Sequence, residues 1–241
     1  MKKTLLLSAT AFLLLCVLTL HSQSKSVLFI GNSYTYYNDG LPTVFKNLAH
    51  SLGDDVETEM NAPGGYTFQS HSTNTTTLNL ISSRAWDYVV LQEQSQRPSF
   101  PPSQVATEVY PYAKILSDSV HNNSNCTQLL FFMTWGYLNG DASNCPYYTP
   151  LCTYAGMQWR LRQSYVEMAE DNNAWAVPCG MAVKSVRETN PEISLYAGDG
   201  SHPSIHGTYL AACTFYTSIF HKSPVGASYI STGISESEAT I

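Results

Sequence analysis

The chain has 241 residues, of which 44% are hydrophobic and only 12% charged, and its formal net charge is −6. That length supports one sizeable core in a single main domain. The Lys and Arg residues are few and scattered, so the acidic balance gives no footing for nucleic acid or an anionic membrane surface.

Residues 1–22 have the pattern of a signal peptide. Lys2 and Lys3 form a basic start, "TLLLSATAFLLLCVLTL" is the apolar run, and "HSQS" offers small residues for cleavage. The expectation is a secreted or periplasmic protein with no stable membrane insertion after cleavage. Export permits disulfides. Cys145 and Cys152 bracket "CPYYTPLC" and are the first choice for a bridge, whereas Cys179 and Cys213 lie in apolar settings and read as buried fillers. No His/Cys spacing suits zinc, so neither metal nor cofactor is expected.

Beyond the leader, apolar runs of strand length alternate with helical stripes. "SVLFIG" is a continuous apolar run, the pattern of a strand covered on both faces. "LPTVFKNLAHSLG" repeats apolar residues at helical spacing and closes on Gly53. "DVETEM" alternates as a second strand, "TLNLISSRA" is a short helix and "WDYVVLQ" a third strand. "PPSQVATEVYPYAKILSDSVHN" is one long helix with a bend near Pro111. "QLLFFMTW", "YAGMQWRLRQSYVEMAEDNN", "AWAVPCG" and "IHGTYLAACTFYTSIFH" supply strand, helix, strand and a last helix. The order predicts a three-layer α/β/α sandwich on a parallel, flavodoxin-like sheet of about five strands. The main domain spans 25–223. Residues 224–241 form a C-terminal extension whose "SESEATI" reads as the opening of a helix.

In such sheets the ligand crevice lies beyond the carboxyl ends of the strands. The residues there are Gly31-Asn32-Ser33, the "APGG" of 62–65, Gln92 to Ser95, Thr134-Trp135-Gly136 and Pro178-Cys179-Gly180. A serine at that place can act as a nucleophile if a base and an orienting group reach it. His202, in "GDGSHPS" with Asp199 three residues upstream, stands out among the histidines because a tight turn returns the carboxylate to its own imidazole. The plain alternative is a turn and helix cap with Ser204 as the cap.

A Gly-Asn-Ser after the first strand, paired with Asp-x-x-His before the last helix, resembles the SGNH (GDSL-like) hydrolase superfamily. The "GNSYT" start and "LQEQS" third block look most like its uncharacterised secreted branch. The resemblance implies Ser33 as nucleophile, His202 as base and Asp199 as its orienter. It also implies an oxyanion hole from the Ser33 and Gly65 backbone N–H groups, with Gly64 adjacent. The third block departs from the superfamily's Gly-x-Asn-Asp: the strand runs into "LQEQSQRP", so the side-chain donor falls to Gln92, Gln94 or Gln96, with Gln94 and Gln92 preferred. Thr35 stands where an α/β-hydrolase elbow has its second glycine, which disfavours that fold.

The chain carries 16 Tyr against 9 Phe, many beside Asn, Thr and Gly, which tilts the substrate towards polar, uncharged compounds such as sugars. Tyr34, Tyr66, His71 and Trp135 are the candidate substrate contacts. The expected activity is a secreted carboxylesterase or carbohydrate O-deacetylase acting on a small-molecule or polysaccharide ester. A lysophospholipase or thioesterase, and a non-catalytic carbohydrate-binding protein on the same fold, are the alternatives.

Overall fold

A computed structural model describes residues 24–241. The leader expected at 1–22 lies outside the described residues. Five strands, β1 (Lys25–Ile30), β2 (Val56–Asn61), β3 (Tyr88–Leu91), β4 (Gln128–Phe132) and β5 (Trp175–Val177), form one sheet in the order β2-β1-β3-β4-β5. Every adjacent pair is parallel. The helices are α1 (Ser33–Tyr36), α2 (Leu41–Ser51), α3 (Phe68–Ser72), α4 (Thr75–Ser82), α5 (Pro102–Glu108), α6 (Tyr110–Asn123), α7 (Tyr154–Asp171), α8 (Cys179–Thr189), α9 (Ile205–Phe220) and α10 (Glu236–Ala239). This is the three-layer α/β arrangement that the strand–helix alternation predicts.

The apolar content of each strand follows from its place. β1 sits between β2 and β3, and Val27, Leu28, Phe29 and Ile30 are all fully buried. Val27 and Phe29 face a core built with α2, α8 and α9, where Phe29 packs edge-on against Phe215 at 5.3 Å. Leu28 and Ile30 face the opposite core, built with α4, α6 and α7. β2 is an edge strand, which is why Glu57 and Glu59 are tolerated in it. The strand order reverses between β1 and β3, so the crevice opens beyond the carboxyl ends of those two strands. Gly31-Asn32-Ser33 and Gln92 stand there.

Two helical expectations change. The single long helix is two, α5 and α6, separated at Val109. Pro111 falls in the first turn of α6, where its missing N–H is not needed; inside one continuous helix it would have broken a bond. The Pro178-Cys179-Gly180 segment, read as a crevice loop, begins α8 instead. Gly180 is required there because a Cβ would stand 2.1 Å from the Thr134 carbonyl oxygen. Cys145 and Cys152 are bonded to each other, and Cys179 is buried.

Residues 224–241 lie against α9: the Tyr209 hydroxyl donates to the Tyr229 carbonyl, and His206 is 3.3 Å from Glu238. α10 carries a complete capping box on Ser235 and Glu238. A mostly apolar cavity of about 330 Å³ lies between α8, α9 and this extension, and contains none of Ser33, Asp199 or His202. No helix of the described residues is long and apolar enough to cross a membrane.

Candidate active site

The turn after β1 is built by close packing and by one buried glutamine. Gly31 has no room for a side chain: a Cβ would lie 2.3 Å from Thr35 Oγ1 and 2.6 Å from Gln92 Oε1. Asn32 caps α1, its Oδ1 accepting from the Tyr34 N–H at 3.2 Å. Gln92 is fully buried. Its Oε1 accepts from the Asn32 N–H (3.0 Å) and Thr35 Oγ1 (2.9 Å), while its Nε2 donates to Asn32 Oδ1 (3.0 Å) and to the Glu93 carbonyl. Both ends of the amide are therefore spent on holding the turn. The expectation of Gln92 as an oxyanion donor is corrected on this ground.

Ser33 begins α1 and is half-buried. Its hydroxyl donates to His202 Nε2 at 2.9 Å, across 169 positions of sequence. His202 Nδ1 donates to Asp199 Oδ2 at 2.5 Å. The other carboxylate oxygen, Oδ1, accepts from the Ser201 N–H (2.9 Å) and the His202 N–H (3.0 Å). Burial works against ionisation of Asp199, but the hydrogen bonds from the His202 ring and these two amides outweigh it and hold the carboxyl below its usual range.

The Asp199–His202 turn is tied to the sheet at several points. Gly200 adopts a φ of +68°, and its carbonyl accepts from the Leu138 N–H at 2.8 Å. Trp135 Nε1 donates to the Ser201 carbonyl (3.1 Å), and the Tyr34 hydroxyl meets Ser201 Oγ (2.8 Å). Asn38, at a φ of 51°, donates to the Pro203 carbonyl (2.8 Å) and Thr208 Oγ1 (3.0 Å). Reasoning from sequence missed Asn38; its signal was the Asn-Asp-Gly run of 38–40, in which all three residues take positive φ.

Gly65 is exposed at a φ of +73°, and its N–H makes no hydrogen bond among the described residues. The loop around it is anchored, because Asn32 Nδ2 donates to the Tyr66 carbonyl at 2.8 Å. Gln94 is half-buried, with Nε2 on Ser95 Oγ and Gln96 Oε1 at 3.2 Å each. These long bonds within its own turn leave Gln94 as the remaining amide of the preferred pair.

The aromatic expectations divide. His71 is fully buried: Nε2 donates to the Gly31 carbonyl and Nδ1 accepts from Thr77 Oγ1, each at 2.8 Å. Burial lowers its pKa, partly offset by the Gly31 bond, so the ring is neutral. It braces the nucleophile turn from behind and is corrected as a substrate contact. Trp135 and Tyr34 are corrected likewise, being buried and stacked on each other at 5.0 Å beneath the His202 turn. Tyr66 is half-buried, its ring edge-on to His71. At the rim stand Tyr36, which is exposed, and Tyr37, which stacks on the His202 ring at 4.8 Å.

That stack orients the imidazole. An aromatic pair is worth ~0.5–1.5 kcal/mol, so Tyr37→Ala is expected to loosen the His202 ring and lower any turnover at this site about two- to tenfold. Steady-state kinetics beside a thermal melt would check this. A cleft of about 640 Å³ opens beside Asp199, lined among others by Asn139, Arg187, Tyr196 and Gly198. Among the described residues no group of three or more His, Cys, Asp or Glu side chains is placed to hold a metal ion.

Comparisons with known proteins agree on the fold. A DUF4886 family protein from Bacteroides uniformis superposes with a TM-score of 0.75 at 19% identity, covering 90% of this chain and 91% of that one. A proposed SGNH hydrolase from Slackia heliotrinireducens gives 0.62 at 26% identity, over 80% of this chain and 97% of the other. A family 3 carbohydrate esterase from Clostridium thermocellum gives 0.56 at 12%, over 81% and 94%. No curated protein matches the chain. The family described as a domain of unknown function, DUF4886, matches residues 65–241, a stretch that begins at the glycine loop and includes Asp199 and His202. The chain belongs to the DUF4886 family.

Proposed function

We propose that the protein is an exported serine ester hydrolase of the SGNH type, removing small acyl groups such as acetyl from carbohydrates. The observation that carries this reading is the relay from Asp199 through His202 to Ser33, at the carboxyl end of the strand where the sheet order reverses. Neutral His202 takes the proton from Ser33 Oγ as that oxygen attacks the ester carbonyl carbon. Asp199 fixes the tautomer and stabilises the imidazolium. The tetrahedral oxyanion is met by the Ser33 and Gly65 N–H groups, with Gln94 as the side-chain donor. Collapse breaks the ester C–O bond, and His202 Nε2 delivers its proton to the leaving alcohol. Water then repeats the sequence on the acyl-enzyme, and Ser33 regains its proton.

The half-exposed Tyr66 and the rim tyrosines 36 and 37 support a polar ring substrate rather than a long acyl chain, and the carbohydrate esterase among the fold's relatives is consistent with it. A fluorophosphonate probe is expected to label the protein once, on the peptide carrying Ser33, as read by mass spectrometry. Hydrolysis of p-nitrophenyl esters is expected to be fastest for acetyl. A preference for eight carbons or more would favour a thioesterase or lysophospholipase. Absence of both labelling and hydrolysis would leave a carbohydrate-binding protein.

A further inference from the structure

We propose that Glu93 is a positioning residue that sets the oxyanion side of the site, clamping the glycine loop and the third block on its two carboxylate oxygens. The inference rests on the esterase reading of Ser33 and extends it to a residue that the mechanism does not touch. Glu93 is fully buried. Its Oε2 accepts from the Phe68 N–H at 2.9 Å, and its Oε1 accepts from the Gln94 N–H at 2.6 Å. Phe68 opens α3, so its N–H is one of the donors that a helix start leaves without an internal partner. Gly65 lies three residues before it. The loop is thus held at Tyr66 by Asn32 and at Phe68 by Glu93, with the exposed Gly65 N–H just ahead of both anchors.

A buried carboxylate is an expensive way to fill space. Its one nearby cation, Arg97, stands with Nε 3.9 Å from Oε1, makes no hydrogen bond through that nitrogen, and directs its outer nitrogen to Glu108. From α7 the buried Tyr165 phenol lies near Glu93. Burial pushes Glu93 up to about 7 despite the two amides and Arg97. An apolar side chain would carry no such cost. What the ionised carboxylate alone offers is two acceptor oxygens with no proton between them. A glutamine must turn its NH2 towards Phe68 or Gln94 and loosen one anchor, and the protonated acid offers one of them only a weaker hydroxyl acceptor.

The test compares wild type with Glu93→Gln. In ¹⁵N-edited spectra of the wild type, the Phe68, Gln94 and Gly65 amide signals should titrate together with a midpoint near pH 7. In the variant they should be flat. With p-nitrophenyl acetate, kcat should fall on the order of 10²-fold, as for an ångström of misplacement, with KM within about twofold. A Gly65 amide that does not follow the other two, or a folded variant whose kcat stays within about twofold, overturns the proposal. If the variant does not fold, the wild-type titration decides alone. If wild type neither hydrolyses esters nor takes the fluorophosphonate, the esterase reading fails, while the Gly65 titration still decides whether Glu93 holds the loop.

Discussion

Replacing Ser33 with alanine is expected to lower kcat for p-nitrophenyl acetate by on the order of 10⁴–10⁶-fold, without loss of folding. The half-buried side chain makes one hydrogen bond among the described residues, to His202, so its removal would take away the proposed attacking oxygen and little packing. His202→Ala should cost a similar factor. The double variant should be no slower than either single one, because nucleophile and base act as one unit. Asp199→Asn should retain the ring position yet present the wrong tautomer, with a loss on the order of 10⁴-fold. Steady-state rates with active-site titration would measure all four. A Ser33→Ala protein within about tenfold of wild type would sink the assignment of the nucleophile.

Glu93 should leave its mark on stability as well, with a definite sign. Its carboxyl is raised by burial from 4.5 in the unfolded chain to about 7 in the folded protein. The folded state then holds the proton more tightly, so the contribution to stability is fully present below pH 4.5 and is lost as the pH rises through about 7. The span corresponds to ~3 kcal/mol for a group as buried as this one. Denaturant melts of wild type and Glu93→Gln from pH 4 to 8.5 should show the difference in unfolding free energy moving by about that amount in favour of the variant. A difference that stays flat across the range would mean that the carboxyl is not desolvated. With the expected loss of kcat, the variant would be relatively more stable and slower, the usual exchange at a built site.

The two ends of the site were legible through their pairing, which resembles the SGNH pattern; each alone reads equally as a turn or a cap. An apolar run followed by Gly-Asn-Ser marks a strand end. A Gly-rich Asp-x-x-His turn before a helix becomes a candidate base only beside that first block. The middle of the site was less legible. Whether Gln92 or Gln94 turns towards the substrate depends on how the end of β3 packs against Asn32 and Thr35, some 60 positions away, and alternation along the strand carries no such information. His71 read as a candidate substrate contact because "TFQSHS" follows the glycine loop; Thr67 caps a short helix there and swings the ring beneath Gly31. Trp135 and Tyr34 misled for the same reason, since aromatics on crevice loops serve as packing as readily as contact. α8 was hidden by its Pro-Cys-Gly opening, although Val183 and Val186 lie at the spacing of a buried stripe.

The tether from Asn38 to Pro203 and Thr208 has a consequence for the life of the chain before it is complete. The Ser33 turn is held by the Gln92 side chain just past β3, so the residues that fix it directly lie in the first 92 of the chain. His202 lies 169 positions later, and its turn is held beside Ser33 by Asn38, Tyr34, Trp135 and Leu138. A chain ending at Leu195 would hold the residues of the Ser33 turn and lack His202. The Asp199–His202–Ser33 arrangement thus joins the last third of the polypeptide to the first. A proteolytic nick between α8 and α9 would leave Ser33 and His202 on separate pieces of chain, joined through the Asn38 tether and the other contacts of the turn.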